Sequence, residues 1–268
     1  MKLKLVPART GAVWVKLGMQ TFFKQPLALA GLFFIFMALM SVVTMLPIVG
    51  LPLAMTLLPA ATLGLMAATR EATQGKFPMP LILFTAFRAG PAKVRAMLAL
   101  GAMYAAGFLL AMGASYLVDG GGFARLYLGG SAPTAELLQS PDFQMAMWVF
   151  IGLHLPLSLM FWHAPALVFW HDLPPLKSMF FSIVACFRNF WAFTWFGFAW
   201  MGAIVVTILA ISTLGTLAGN PALSGMMLFP ALMLLASMFF TSLYFTYRDC
   251  FEPETPPGPD QTQLNPPA

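Results

Sequence analysis

Residues 184–193 read VACFRNFWAF, one arginine among four aromatics, and after Arg188 no charged side chain occurs until Arg248. A run of that length can cross a bilayer twice, since one crossing takes about 20 mostly apolar residues. Aromatics and cations at its lip are what a membrane–water interface collects. The preceding segment fits the same reading. If Pro175–Phe190 is helical, Lys177 and Arg188 share one stripe, because their separation is about three turns. Ser178, Ser182 and Asn189 would flank that stripe, and Met179, Phe180, Ile183, Phe187 and Phe190 would take the other side. This predicts an amphipathic helix lying in the interface with its cations toward headgroups. Asp172 is placed to cap its start, with Pro174 and Pro175 in the first turn.

The rest of the chain repeats the pattern. Of 268 residues 60% are hydrophobic and 9% charged, where a soluble domain carries about 25% charged residues. Six apolar blocks, at 27–49, 52–69, 97–118, 145–170, 191–218 and 224–247, contain no Asp, Glu, Lys or Arg. The first two are separated only by the turn LPIVGLP, which predicts a tight hairpin. The expectation is an all-α polytopic membrane bundle over residues 1–250, with six transmembrane helices and added interfacial helices. Residues 251–268 are acidic and proline-rich, a disordered tail by composition. The opening MKLKLVPART is basic, but its apolar block starts near Leu27 and no cleavage site follows, so the first block reads as a span. Cys186 and Cys250 form no paired framework and read as free thiols.

Lys and Arg fix the expected threading. Lys2, Lys4, Arg9, Lys16 and Lys24 precede the first span, and Arg70, Lys76, Arg88, Lys93 and Arg95 lie between the second and third. Lys177 and Arg188 lie between the fourth and fifth, Arg248 follows the sixth, and the other side holds Arg125 alone. Both termini are therefore expected in the cytoplasm. The net charge of +5 is spread over these loops, which points to anionic lipid headgroups as partner rather than nucleic acid.

In WVKLGMQTFFKQP (14–26) Lys16, Gln20 and Lys24 recur every four residues, with Val15, Met19 and Phe22 on another side. PLILFTAFRAGP (80–91) is less amphipathic, yet Phe87-Arg88 echoes Phe23-Lys24 and Phe187-Arg188. The pattern suggests a unit of one interfacial helix and two spans, used three times. Lys16, Lys24, Arg88, Lys177 and Arg188 are the candidate membrane-interface residues. The third span carries small residues four apart, Gly101/Ala105, Ala102/Ala106 and Gly107/Ala111, spacing suited to close helix packing. The 119–144 loop has room for one or two short helices.

Chemistry is harder to find. No phosphate-binding loop, dinucleotide fingerprint, nucleophile elbow or HExxH motif occurs. The acid-free spans lack the carboxylates on which ion-coupled carriers rely. His154, His163 and His171 all fall in or just after the fourth span. His154 and His163 differ by about 180° on an ideal helix, and His163 and His171 by about 80° with roughly 12 Å of rise, so no joint site is expected. His154 and His163 are the candidate buried polar residues. For His154, near mid-membrane, Tyr104, Ser158, Thr194 and Thr207 are the expected partners. No catalytic residue, cofactor or metal is assigned.

The stretches KLKLVPARTGAVWVKLG, LPAATLGLMAATREATQGKFPMP, FWHAPALVFWHD and FRNFWAF resemble a family of proteobacterial six-span inner-membrane proteins characterised by little beyond their location. The likeness covers nearly the whole chain except the tail. It implies a multi-pass inner-membrane protein and carries no catalytic or binding residue. The expected function is non-enzymatic: an accessory or scaffold with an envelope protein partner, or a lipid-organising factor. The alternative is a small facilitator or channel, for which a polar cavity reaching His154 would be needed. An intramembrane enzyme ranks third.

Overall fold

Prolines open most of the helices, where a missing amide costs nothing because the first amides of a helix have no acceptor within it. The computed structural model describes residues 3–251 apart from Ser131 and Pro133, and only the backbone at Pro221. It comprises α1 (Thr10–Lys24), α2 (Pro26–Thr44), α3 (Gly50–Thr73), a 3-10 helix (Pro80–Arg88) and α4 (Pro91–Asp119). Then follow α5 (Gly122–Tyr127), α6 (Ala135–Gln139), α7 (Pro141–Phe161) and α8 (Ala164–Trp170). The chain ends with α9 (Pro175–Arg188), α10 (Phe190–Leu217) and α11 (Pro221–Phe251), and no strand occurs among the described residues. Six elements are long and apolar enough to cross a membrane: α2, α3, α4, α7 with α8, α10 and α11. An even number of crossings puts residues 3 and 251 on one side, and the Lys4 amide donates to the Cys250 carbonyl at 3.0 Å. We call this side the terminal face.

Block edges shift where local chemistry is stronger than hydropathy. The first span stops at Thr44, and the reversal runs through Ile48 at φ 65°. The last helix runs on from Tyr247 to Phe251, because Tyr247, Cys250 and Phe251 are buried. Of residues 251–268, where the disordered tail was expected, Phe251 belongs to the last helix, and 252–268 lie outside the described residues. The 119–144 loop holds the two short helices α5 and α6.

The helices pack in a cyclic order. The 3-10 helix lies chiefly on α3, α9 on α7 and α8, and α1 on α11 and α10. Each interfacial element thus rests on the second span of the unit before it, and α1, with none before it, rests on the last unit and closes the ring. Glycines permit the close approaches. A Cβ at Gly18 would strike Ser242 of α11, one at Gly11 would strike the Ala192 carbonyl of α10, and one at Gly64 would strike the Leu83 backbone. In α4, Gly101 abuts the Thr56 carbonyl and Gly107 abuts Leu157, while Ala105 and Ala111 are buried. That stripe packs internally, whereas Ala102 and Ala106 face outward.

The fourth span bends. Pro156 is carried inside α7 without a break, and the hinge falls at Trp162–His163, just ahead of Pro165. The regular bond from the His163 amide to the Leu159 carbonyl is missing there. The Ser182 hydroxyl of α9 takes its place, accepting from the His163 amide (2.9 Å) and donating to the Leu159 carbonyl (2.7 Å). A side chain inserted into the helical ladder is a recognised cause of such a kink.

Ser182→Ala should therefore lower the unfolding free energy in detergent by about 1–3 kcal/mol, since it strands the buried His163 amide and leaves the Leu159 carbonyl only the Cys186 thiol at 3.9 Å. Ser178→Ala removes only a bond to the Pro175 carbonyl of the same helix and should cost markedly less. Equal losses for the two variants, read as shifts in the denaturation midpoint, would contradict the bridging role.

Candidate functional site

The three second spans, α3, α8 and α11, end at the terminal face on the same motif, a basic residue followed by an acid. These pairs are Arg70-Glu71, His171-Asp172 and Arg248-Asp249. Most of these side chains are engaged. The Arg70 guanidinium lies over the Trp170 ring (5.5 Å), Trp170 packs against Tyr247 (4.9 Å), and the Tyr247 hydroxyl shares a hydrogen bond with His171 Nε2 (2.9 Å). Arg248 pairs with Asp249 Oδ1 at 2.8 Å, and Asp249 Oδ2 accepts from the indole of the fully buried Trp14 at 2.8 Å. Lys93 reaches Asp172 at 3.0 Å and donates to the Phe169 carbonyl at 2.7 Å. Asp172 therefore does not cap α9: Pro174 holds the cap position, and the Asp172 backbone is left-handed (φ 53°) to reach Lys93.

Asn189 fastens the N-terminal segment to the end of α9. Its Oδ1 accepts from the Val6 amide (2.8 Å), and its Nδ2 donates to the Lys4 and Ala185 carbonyls (3.1 Å each). This changes the reading of α9. Ser178, Ser182, Ala185, Cys186 and Asn189 are the buried side that meets the bundle, whereas Phe180 and Phe187 stand exposed. Serine hydroxyls can be buried here because each finds a carbonyl, and the phenylalanines are free to face lipid. Burial also holds the Cys186 thiol above its ordinary range, with Cys250 adding to the effect. Both cysteines are free and buried.

The five candidate interface cations, Lys16, Lys24, Arg88, Lys177 and Arg188, are all exposed, and among the described residues none of them is in an ion pair. All five lie on the interfacial elements: Lys16 and Lys24 on α1, Arg88 at the end of the 3-10 helix, Lys177 and Arg188 on α9. The two candidate histidines occupy separate surroundings. His163 is fully buried at the hinge, with Nε2 3.3 Å from the Thr246 hydroxyl and its ring edge-on to Phe251. His154 stacks on Phe150 (5.0 Å) and meets Phe108 edge-on, with its Nδ1 unpaired. Its expected partners Thr194 and Thr207 bond instead to the Phe190 and Ala203 carbonyls of their own helix. Among the described residues no group of three or more His, Cys, Asp or Glu side chains is arranged to hold a metal ion.

Burial lowers the His171 imidazole below its ordinary range, against a smaller opposing pull from Asp172. The folded state therefore binds this proton less readily than the unfolded chain. Its contribution to stability is complete above about pH 6.5 and declines as pH falls below that value. The detergent melting temperature should drop between about pH 6.5 and 5 more steeply for the natural protein than for His171→Gln. Parallel pH profiles would rule out a neutral His171 in the fold.

Sequence reasoning overlooked Trp14, Asp249, Trp170 and Tyr247. The signal available was the basic–acidic pair that recurs after every second span. Compared with known proteins, the chain is 36% identical over 262 residues to a Burkholderia thailandensis protein named "Probable inner membrane protein", covering 97% of each. No family model and no solved structure matches it.

Proposed function

We propose, because the chain belongs to the same family of inner membrane proteins as its Burkholderia thailandensis relative, that it works without catalysis, as a scaffold that organises anionic lipid at the cytoplasmic surface of the inner membrane. The observation that carries this is the set of five exposed cations on interfacial elements that are themselves bound tightly to the bundle. Such cations each gain about 1 kcal/mol near an anionic surface. The spans support the same reading. Thr56, Thr62, Thr69, Thr194, Thr207 and Thr241 donate to carbonyls of their own helices, which leaves few hydroxyls to line a polar path. A facilitator would need one. The cavity between α3, α4, α7, α8 and α11 is only about 140 Å³; Thr62, Tyr104 and Ser158 are its hydroxyls, the rest of its lining is apolar, and His154 is not part of it.

With the cation-rich side inward, the terminal face is cytoplasmic. A single cysteine at exposed Ala132, between α5 and α6, should react with an impermeant maleimide in intact spheroplasts. One at exposed Gln74 should be protected until the cells are opened. Cys186 and Cys250 are replaced in both, although their burial keeps them silent from either side. Reversed labelling would invert the orientation.

Function is tested in vesicles of phosphatidylglycerol and phosphatidylethanolamine that carry a dilute fluorescent phosphatidylglycerol pair. The protein should raise energy transfer between the labelled lipids. Replacing Lys16, Lys24, Arg88, Lys177 and Arg188 with glutamine should remove the rise. Solute flux or chemical turnover without any lipid clustering would overturn the proposal.

A further inference from the structure

The cations are not equivalent in their surroundings. Between α1 and α10 lies an open groove of about 800 Å³, lined by Ala12, Val15, Met19 and Phe23 on α1 and by Ala199 on α10, with Lys16, Gln20 and Lys24 along it. The lining residues of α1 follow a three- and four-residue spacing, so they form one continuous helix face. Lys16 and Lys24 are two turns apart on that face, about 12 Å, with Gln20 between them. No carboxylate is among the described lining residues. Asp249 of α11 is engaged by Arg248 and by the Trp14 indole, on the opposite face of α1.

The groove's depth in the membrane follows from α10. Trp191 and Trp195 stand exposed on its first two turns, and tryptophans settle at the headgroup level. The groove therefore opens where a phosphate meets the top of an acyl chain. Its two chemistries match that boundary: ammonium groups and an amide for the headgroup, methyl, thioether and phenyl surfaces for the chain.

We propose that this groove is a binding site for one anionic phospholipid, its headgroup between Lys16, Gln20 and Lys24 and the upper part of an acyl chain against Met19, Phe23 and Ala199. This rests on the lipid-facing role of the interfacial cations and adds a defined site to it. The α9 cations lack such a setting, since the side of α9 away from the bundle carries protruding phenylalanines. They attract the membrane surface in general, while α1 and α10 select a molecule.

The test is native mass spectrometry of the delipidated full-length protein in mild detergent, offered equal phosphatidylglycerol and phosphatidylethanolamine with matched chains. One phosphatidylglycerol should bind in preference. The double variant Lys16→Gln, Lys24→Gln should bind it about thirtyfold more weakly, as the loss of two interfacial cations implies. Ala199→Trp, which fills the groove and keeps both charges, should weaken it as well. Lys177→Gln with Arg188→Gln should leave the single adduct in place. Gel filtration and melting temperature confirm that each variant is folded. Equal binding of the two lipids, or an unaffected Ala199→Trp variant, would overturn the site. So would a Lys177, Arg188 variant that loses as much lipid as the α1 variant. That last outcome would leave only general surface attraction, and the clustering experiment would still stand.

Discussion

The fold depends on the contact by which α1 closes the ring. Three hairpins in sequence, each docked on the one before, would leave an unpartnered surface at both ends. Here the first interfacial helix covers the last hairpin. Gly11 and Gly18 remove the side chains that would hold the helices apart. Trp14 fills the seam and reaches Asp249, and the Ser237 hydroxyl of α11 donates to the Leu29 carbonyl of α2 at 3.3 Å. Because apolar side chains gain nothing by leaving lipid for one another, association must come from close packing and internal hydrogen bonds. The seam supplies both, through Gly11 and Gly18 and through the Trp14–Asp249 bond.

The same constraint governs the polar groups inside. Water is absent from a bilayer core, so each donor and acceptor must find a protein partner. The hinge of the fourth span shows how this is met. Pro165 prevents a straight helix, and the freed carbonyl and amide are rejoined through a hydroxyl of another element. Trp162 then turns its indole to the Thr246 hydroxyl (3.1 Å), so the bend is held from α11 as well as α9.

The spans were legible because their signal is additive: twenty apolar residues outweigh any single exception. The all-helical class and the six crossings follow from that alone. Individual partners were not legible. Asp172 has the position and chemistry of a helix cap, but Lys93, far away in sequence, competes for it and prevails. Ser178 and Ser182 look polar and hence solvent-facing, yet in a membrane protein the aqueous side of an interfacial helix is not the only place for a hydroxyl. The interior of the bundle offers carbonyls, and lipid accepts phenylalanine. Polarity along α9 therefore misled where charge did not: Lys177 and Arg188 are exposed as expected. For the histidines, the helical wheel assumed one straight helix, whereas the hinge puts His163 between α7 and α8, and it could not show that an aromatic stack, rather than a hydroxyl, would meet His154.

The seam between α1 and the last hairpin also sets an order of assembly. A nascent chain emerges N-terminus first, so α1 exists before α10 and α11 have been made. Its docking partners arrive only after the four spans between them have been made. Until then the helix must wait somewhere that tolerates an apolar side without its mate, and a charged amphipathic helix can wait on the membrane surface. The hairpins can insert in turn, each finding its predecessor already in place. The final event is then the arrival of Ser242 and Asp249 at the waiting helix and of Asn189 at the segment before it, with the Lys4 amide bonded to the Cys250 carbonyl once the ring is shut. Damage confined to the last few helical residues would thus be felt first at the other end of the chain.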